Sequence, residues 1–257
     1  RVRENCKDAA LIIDTQDLHC LRLHRQQLLK QGKEIDEIVD SIPETTPELL
    51  RELSSIYRSD HTFLVSPYEL QLLTQQYAIP SNKLSIASFF YPERPSALLP
   101  SFHQRQHFVM IGNFRHPPNH DQLQWVAKSI WPSIRKKLGD AQLHVYGAYP
   151  DHLSQQLTSK SQGIFVKGYV QDQFETLSGY RVNLAPLRFG AGIKGKIADG
   201  FHVGTPCVTT RIGSEGMTLN NHFGGFVASS VEDIINRAVQ LYTEESTWAQ
   251  HQQTGFQ

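Results

Sequence analysis

Between Arg181 and Lys196 the chain places four basic side chains, Arg181, Arg188, Lys194 and Lys196, and no acid. Glycines at 190, 192 and 195 punctuate the same stretch, and the pattern through Ile197 and Phe201 predicts a helix directly after it. A glycine-rich turn that enters a helix leaves backbone N–H groups unpaired and presents the positive end of the helix dipole. Such a turn receives anions, and added lysines suit a phosphate or diphosphate. The competing reading is a solvated basic loop with turn glycines. Charge, glycine spacing and strand-to-helix position agree with one another, which favours the anion site. Asp199 follows Lys196 by one helical turn on the same face. Its carboxylate reads equally as a grip on ribose hydroxyls or as an ordinary ion pair with Lys196.

Residues 190–195 also fit the literal G-x-G-x-x-G dinucleotide pattern, with Glu215 as the acid downstream. In that fingerprint the first glycine follows its strand directly, whereas Pro186, Leu187, Arg188 and Phe189 intervene here. A nicotinamide-dependent enzyme is therefore a minor alternative. The twelve histidines form no H-E-x-x-H motif and no Cys/His cluster with zinc spacing. His19, His24, His116 and His120 read as polar loop or surface residues. There is no D-x-D, no G-x-S-x-G nucleophile elbow and no phosphate loop of the Walker type.

Lys+Arg and Asp+Glu are 25 each, which argues against a general nucleic-acid binder. A hydrophobic fraction of 39% suffices for a packed core. The cysteines (Cys6, Cys20, Cys207) are odd in number and lack a disulfide framework, so a reducing, cytoplasmic compartment is expected. No apolar run approaches the ~20 residues of a membrane span. The first residue is Arg1 rather than methionine, so a preceding signal or anchor stays open.

These residues need elements to position them, and the chain alternates strand-like with helix-like stretches. Strands are predicted at 11–13, 62–65, 84–87, 108–111, 143–146, 164–167, 182–185, 206–209 and 226–228. Residues 31–45 read as a loop. Thr46-Pro47 predicts a helix start, Ser66 with Glu69 a capping box, and Ser229 with Glu232 the cap of a last helix. Pro132 should kink or split the helix that begins near Asn119. Pro92, Pro95 and Pro100 give 91–106 the composition of a linker. Alternating strands and helices imply parallel sheets whose ligands lie beyond the strands' carboxyl ends. The loops to inspect are 14–19, 112–118, 147–150, 168–172, 186–196 and 210–216.

An ordered series of motifs runs from Phe108 to Met217. It begins with the turn Met110-Ile111-Gly112-Asn113-Phe114, then Leu143-His144-Val145-Tyr146-Gly147 and Val166-Lys167-Gly168-Tyr169-Val170. It continues with 186–199, then 204–210, and closes with Gly213-Ser214-Glu215-Gly216. This series resembles the C-terminal domain of GT-B glycosyltransferases of the group 1 (family 4) type. Residues 10–90 resemble the later part of the family's N-terminal domain, with Val65-Ser66-Pro67-Tyr68-Glu69 as the best match.

The resemblance implies an α/β, GT-B-like chain of two Rossmann-like domains with parallel sheets, the first incomplete. Their extents would be 1–92 (acceptor side), a linker at 93–106, and 107–257 (nucleotide-sugar side). It implies transfer of a sugar from a nucleotide diphosphate-sugar to a hydroxyl of a glycan, lipid or protein. Retention at the anomeric carbon is implied, with no protein nucleophile, bound metal or cofactor. By position, Arg188 and Lys196 would neutralise the leaving diphosphate, the catalytic contribution. Gly112 and Asn113 would face the diphosphate or sugar, Tyr169 and Val170 the base. Gly190, Gly192 and Lys194 would complete the donor turn, and Asp199 would replace the usual ribose-binding glutamate. The family's first glutamate falls on Ala191, and its N-terminal histidine on Gln16. Gln16, Asp17 and His19 are thus the acceptor-side candidates. Nucleic acid is not an implied partner, and peripheral membrane contact is admitted. Ala191 and the incomplete first domain keep a non-catalytic nucleotide-binding module as an alternative, and turnover by this chain alone is not implied.

Overall fold

The computed structural model describes residues 2–93, 99–149, 155–218 and 222–256. The chain divides into two compact units. The first holds residues 1–90 together with 190–193 and 215–217, and the second holds 91–189, 194–214 and 218–257.

In the first unit a short helix α1 (Val2–Asn5) precedes β1 (Ile12–Asp14) and α2 (His19–Lys30). Then come α3 (Ile35–Val39), α4 (Pro47–Arg58), β2 (His61–Leu64), α5 (Pro67–Gln75) and β3 (Leu84–Ile86). The strands form a parallel sheet in the order β1-β2-β3. Leu18, Leu21, Leu49, Ile56, Leu64, Leu73 and Ile79 form its buried core. α4 begins as its residue types dictate, with Thr46 Oγ1 accepting from the Leu49 N–H at 3.2 Å and Pro47 at the first helical position.

Two local expectations differ. The 31–45 stretch is not all loop, because Glu34 and Glu37 form a capping box that opens α3 and buries Ile38 and Val39. Ser66, by contrast, makes no side-chain cap bond. The Glu69 carboxylate is instead fully buried and accepts the backbone N–H of Leu18 at 3.0 Å.

The second unit runs β4 (Gln106–Ile111), α6 (Pro117–Trp125), α7 (Trp131–Leu138), β5 (Leu143–Tyr146) and β6 (Ile164–Gly168). It continues with α8 (Gln173–Ser178), β7 (Tyr180–Leu184), α9 (Gly195–His202), β8 (Cys207–Thr210) and α10 (Arg211–Ser214). It ends with β9 (Gly225–Ala228), α11 (Val231–Thr243) and α12 (Glu245–Gly255). All neighbouring strands are parallel, in the order β6-β5-β4-β7-β8-β9. This is the doubly wound order, and its direction reverses between β4 and β7. The loops after those two strands therefore flank the crevice where such sheets bind ligands.

Pro132 splits its helix as expected, and a π-helical turn at Val126–Ile130 absorbs the break. The cap of α11 lies one residue later than expected, with Ser230 accepting from Asp233 N–H at 3.1 Å. Of the 93–106 linker, 94–98 lie outside the described residues, but its end is packed structure. Arg105 is fully buried and donates to Thr205 Oγ1 at 2.6 Å and the Val203 carbonyl at 2.7 Å.

Trp131 anchors the core of the second unit. It is fully buried, meets Phe108 edge-on at 5.4 Å between centroids, and donates its indole N–H to the Gln162 carbonyl at 2.7 Å. Trp131→Ala is expected to cost about 3–5 kcal/mol, read as a lower urea midpoint. A loss under about 1 kcal/mol would show that this contact does not hold the core.

Candidate functional site

At the crevice between β4 and β7, Lys196 stands in the first turn of α9. Its Nζ donates to Gln122 Oε1 at 2.7 Å and to Asn119 Oδ1 at 2.5 Å, both on α6. The orientation of both amides follows from the partners of their NH2 groups. Asn119 Nδ2 donates to the Asn113 carbonyl at 2.9 Å, and Gln122 Nε2 to the Leu184 carbonyl at 3.2 Å. Each amide oxygen is thereby turned to the lysine.

The main chain of Lys196 is fixed from below. Asn183 on β7 is fully buried, and its Nδ2 donates to the Lys196 carbonyl at 2.9 Å. Glycine leaves room for the amides on both flanks of this chain. A Cβ at Gly112 would lie 2.7 Å from Asn119 Nδ2, and one at Gly200 would lie 2.9 Å from Asn183 Nδ2. The turn after β7 is pinned by Thr209 and Thr210, whose hydroxyls donate to the carbonyls of Ala185 and Leu187.

Burial pushes the Lys196 pKa down to about 7, and the nearby Lys194 charge acts in the same direction while Cys207 opposes it. Asp199 does not pair with Lys196. The Tyr91 hydroxyl donates to Asp199 Oδ1 at 2.7 Å, and no ion pair joins the two α9 residues among the described residues. Burial raises the Asp199 pKa, while the Tyr91 bond lowers it. Tyr91 in turn stacks on His202 at 4.8 Å.

Arg188 also reaches α6. It makes a two-pronged pair with Asp121, Nε to Oδ2 at 3.0 Å and the second bond from Nη2 to Oδ1, with its guanidinium over the Trp125 ring. Asn113 is exposed, and its Oδ1 accepts from the Arg115 N–H at 2.9 Å. Beyond β6, Tyr169 is 75% exposed and Val170 half-buried. Lys194 is buried at the N-cap position of α9.

Gly190 and Gly192 are grouped with the first unit. Gly192 takes φ +64°, and a Cβ there would lie 2.7 Å from the Gln16 carbonyl oxygen. Its N–H donates to Glu69 Oε1 at 2.8 Å, the atom that also accepts from Leu18. The Gly190 carbonyl accepts from Arg25 Nη1 at 2.9 Å. Arg25 is fully buried, over the Tyr68 ring, and grips both oxygens of Glu215 at 2.9 and 2.6 Å. The acceptor-side candidates lie beside this turn. Gln16 and His19 are exposed, while Asp17 pairs with Arg22 at 2.6 Å and lies 3.5 Å from His19 Nε2.

Asn119, Asp121, Gln122, Tyr91 and Asn183 were not singled out by sequence reading. For the three on α6 one signal exists, the polar run Asn119–Gln122, which follows the Gly112 turn and places a glutamine one turn before Val126 on the apolar face. Among the described residues no three His, Cys, Asp or Glu side chains are grouped to hold a metal, and no helix is long and apolar enough to cross a membrane.

Two units with parallel sheets, the second doubly wound, define an α/β protein of the GT-B fold. The family model for Glycosyl transferases group 1 matches residues 105–244, more than half of the chain. The chain belongs to that family. The dinucleotide-fingerprint reading of 190–195 yields to it, for Ala185–Phe189 separate those glycines from β7.

A search of curated proteins returned no match. Among solved structures, the chain is similar to a S. aureus TarM mutant in complex with Fondaparinux, alpha-GlcNAc-glycerol and UDP. That likeness has 14% identity and a TM-score of 0.73, and covers 98% of this chain and 47% of that one. It is similar to the pneumococcal O-GlcNAc transferase GtfA in complex with UDP and GlcNAc, at 14% identity and TM-score 0.68, covering 99% and 50%. It is also similar to WaaG, a glycosyltransferase involved in lipopolysaccharide biosynthesis, at 13% identity and TM-score 0.64, covering 99% and 74%. The chain thus spans about half the length of the first two.

Arg25→Met should leave the Glu215 carboxylate buried and unpaired, at a cost of about 3–5 kcal/mol by urea unfolding. Adding Glu215→Leu should recover much of that loss, since the stranded charge is gone. A double variant no more stable than Arg25→Met would show that shape rather than charge pairing sets the cost.

Proposed function

We propose that this chain carries the donor-binding part of a glycosyltransferase that moves a sugar from a nucleotide diphosphate-sugar to a hydroxyl acceptor. The observation that carries the reading is Lys196, held on two neutral amides at the switch point beside the Gly112 turn. A diphosphate there would meet an amine with no carboxylate among its bonded partners, and the N-terminus of α9. As the sugar leaves, charge builds on the diphosphate, and a fixed cation at that point stabilises the transition state more than the ground state. Arg188 supplies the second cation, with part of its charge already answered by Asp121.

Asp199, held by Tyr91, reads the ribose. Retention and independence of metal belong to this proposal. They are supported by the family pattern around 186–199 and by the lack of a D-x-D sequence. The acceptor would be a glycan, lipid or protein hydroxyl, met near Gln16, Asp17 and His19 in the first unit. The odd set of three cysteines supports a cytoplasmic setting.

Thermal-shift and calorimetric screening of UDP-, GDP- and ADP-sugars against the chain should find one base series that stabilises it. Lys196→Ala should weaken binding of that nucleotide by about tenfold or more, since a charge-assisted contact is worth ~1.5–3 kcal/mol. Arg188→Ala should cost less. Wild type should prefer the ribonucleotide over its 2′-deoxy form, and Asp199→Asn should lose much of that preference. Failure of every nucleotide sugar to bind would overturn the reading. Equal binding of ribo and deoxy forms would remove Asp199 from it.

A further inference from the structure

A lysine ammonium has three N–H donors, and a neutral amine has two. Lys196 Nζ has two acceptors, Asn119 Oδ1 and Gln122 Oε1, and no third within reach among the described residues. Both are neutral amide oxygens whose direction is fixed by bonds from their own NH2 groups to backbone carbonyls. The cradle therefore meets both N–H groups of a neutral amine, whereas the third N–H of an ammonium finds no acceptor on the chain among the described residues, and Lys196 is only part-buried, so a ligand can reach it.

The charged and titratable neighbours do not alter this. Lys194, at the start of its own helix, is a like charge, and Cys207 on β8 is a buried thiol. On α6 the carboxylate of Asp121 is engaged by Arg188, and on α9 that of Asp199 is engaged by Tyr91. Asn183 on β7 meets only the Lys196 carbonyl, as a neutral donor.

We propose that Asn119 and Gln122 are positioning residues that keep Lys196 a neutral amine in the empty site, and that diphosphate binding is coupled to uptake of one proton by that amine. The inference rests on the reading that the site takes a nucleotide diphosphate, and it goes beyond it. The Nζ lone pair takes a proton from solvent, the new N–H points at a phosphate oxygen, and no other bond changes. The ligand supplies the third acceptor and the charge that the amides withhold. Burial, which draws the Lys196 pKa down to about 7, acts in the same direction. Linkage fixes the sign. Above that pKa the free amine is mostly unprotonated, so binding must draw a proton and affinity falls as pH rises. Below it the proton is already present and uptake vanishes.

The test is calorimetry of UDP, or of whichever nucleoside diphosphate the screen selects, in buffers of differing ionisation enthalpy near pH 8. There the terminal phosphate, with a second pKa of about 6, is already ionised. Close to one proton taken up per nucleotide is expected, declining on moving to about pH 6. Lys196→Arg keeps its charge at every working pH and should bind with little uptake. Asn119→Asp places a carboxylate on the amine and should likewise suppress uptake while the fold is kept. A purely structural role for Asn119 would not move this quantity. Lysine side-chain carbon NMR of the free chain, assigned with Lys196→Arg, supplies a measurement that needs no ligand. Lys196 should titrate well below the ordinary lysine value of ~10.4. Nucleotide binding without proton uptake, or a free-chain titration at the ordinary value, would overturn the inference and leave the functional reading intact. Absence of any nucleotide binding would overturn the functional reading and the coupling with it.

Discussion

A lysine amine held between two neutral amide oxygens at the first turn of a helix is the contact on which the rest of the site depends. It requires α6 to present Asn119 and Gln122 on one face, and backbone carbonyls after β4 and at the end of β7 to turn those amides. It requires Asn183 beneath, to hold the Lys196 carbonyl. A Cβ at Gly112 or Gly200 would push Asn119 or Asn183 out of its place in the cluster. These residues come from α6, β7, α9 and the turn after β4, so the sheet order that brings β4 beside β7 is what makes the cluster possible. The strands after the reversal carry the cation, and those before it carry the helix that answers it.

The first unit solves a different problem with buried charge. Glu69 gathers the N–H groups of Leu18 and Gly192 on one carboxylate oxygen, and Arg25 spans the Gly190 carbonyl, the Val39 carbonyl and Glu215. These bonds give the 190–193 turn a defined conformation beside the acceptor-side candidates. A buried pair of this kind contributes little net stability against an apolar substitute, but it penalises any arrangement that separates its members. Such a penalty suits a turn whose position matters more than its stability.

Much of this was legible in the sequence because it is local. The strands stood out as short apolar runs such as Phe108–Ile111 and Leu143–Tyr146, since both faces of a parallel sheet are covered. The helix at 195–202 and the break at Pro132 followed from glycine spacing and a missing N–H. Other parts were not legible, for definable reasons. α12 buries little beyond Trp248 and so shows no periodic face. The Ser66–Glu69 box failed because a tertiary demand, two orphan N–H groups in the core, outbid the local bond. Lys196 and its acceptors lie 77 and 74 residues apart, and no spacing rule joins residues at that distance. The carbonyls that aim those amides belong to the backbone, where residue type carries no signal. Asp199 was read against Lys196 because they share a helix face, whereas its actual partner, Tyr91, lies 108 residues away.

The central claim is that the Asn119–Lys196–Gln122 cluster is where a diphosphate binds. The most direct measurement is the nitrogen–proton NMR spectrum of the side-chain amides of Asn119 and Gln122 during titration with UDP, assigned by single substitution. Both resonances should move together along the binding isotherm, as the amine between them turns toward phosphate, while the amides of α12 stay fixed. Saturable UDP binding with both resonances unmoved would contradict the account and place the nucleotide elsewhere on the chain.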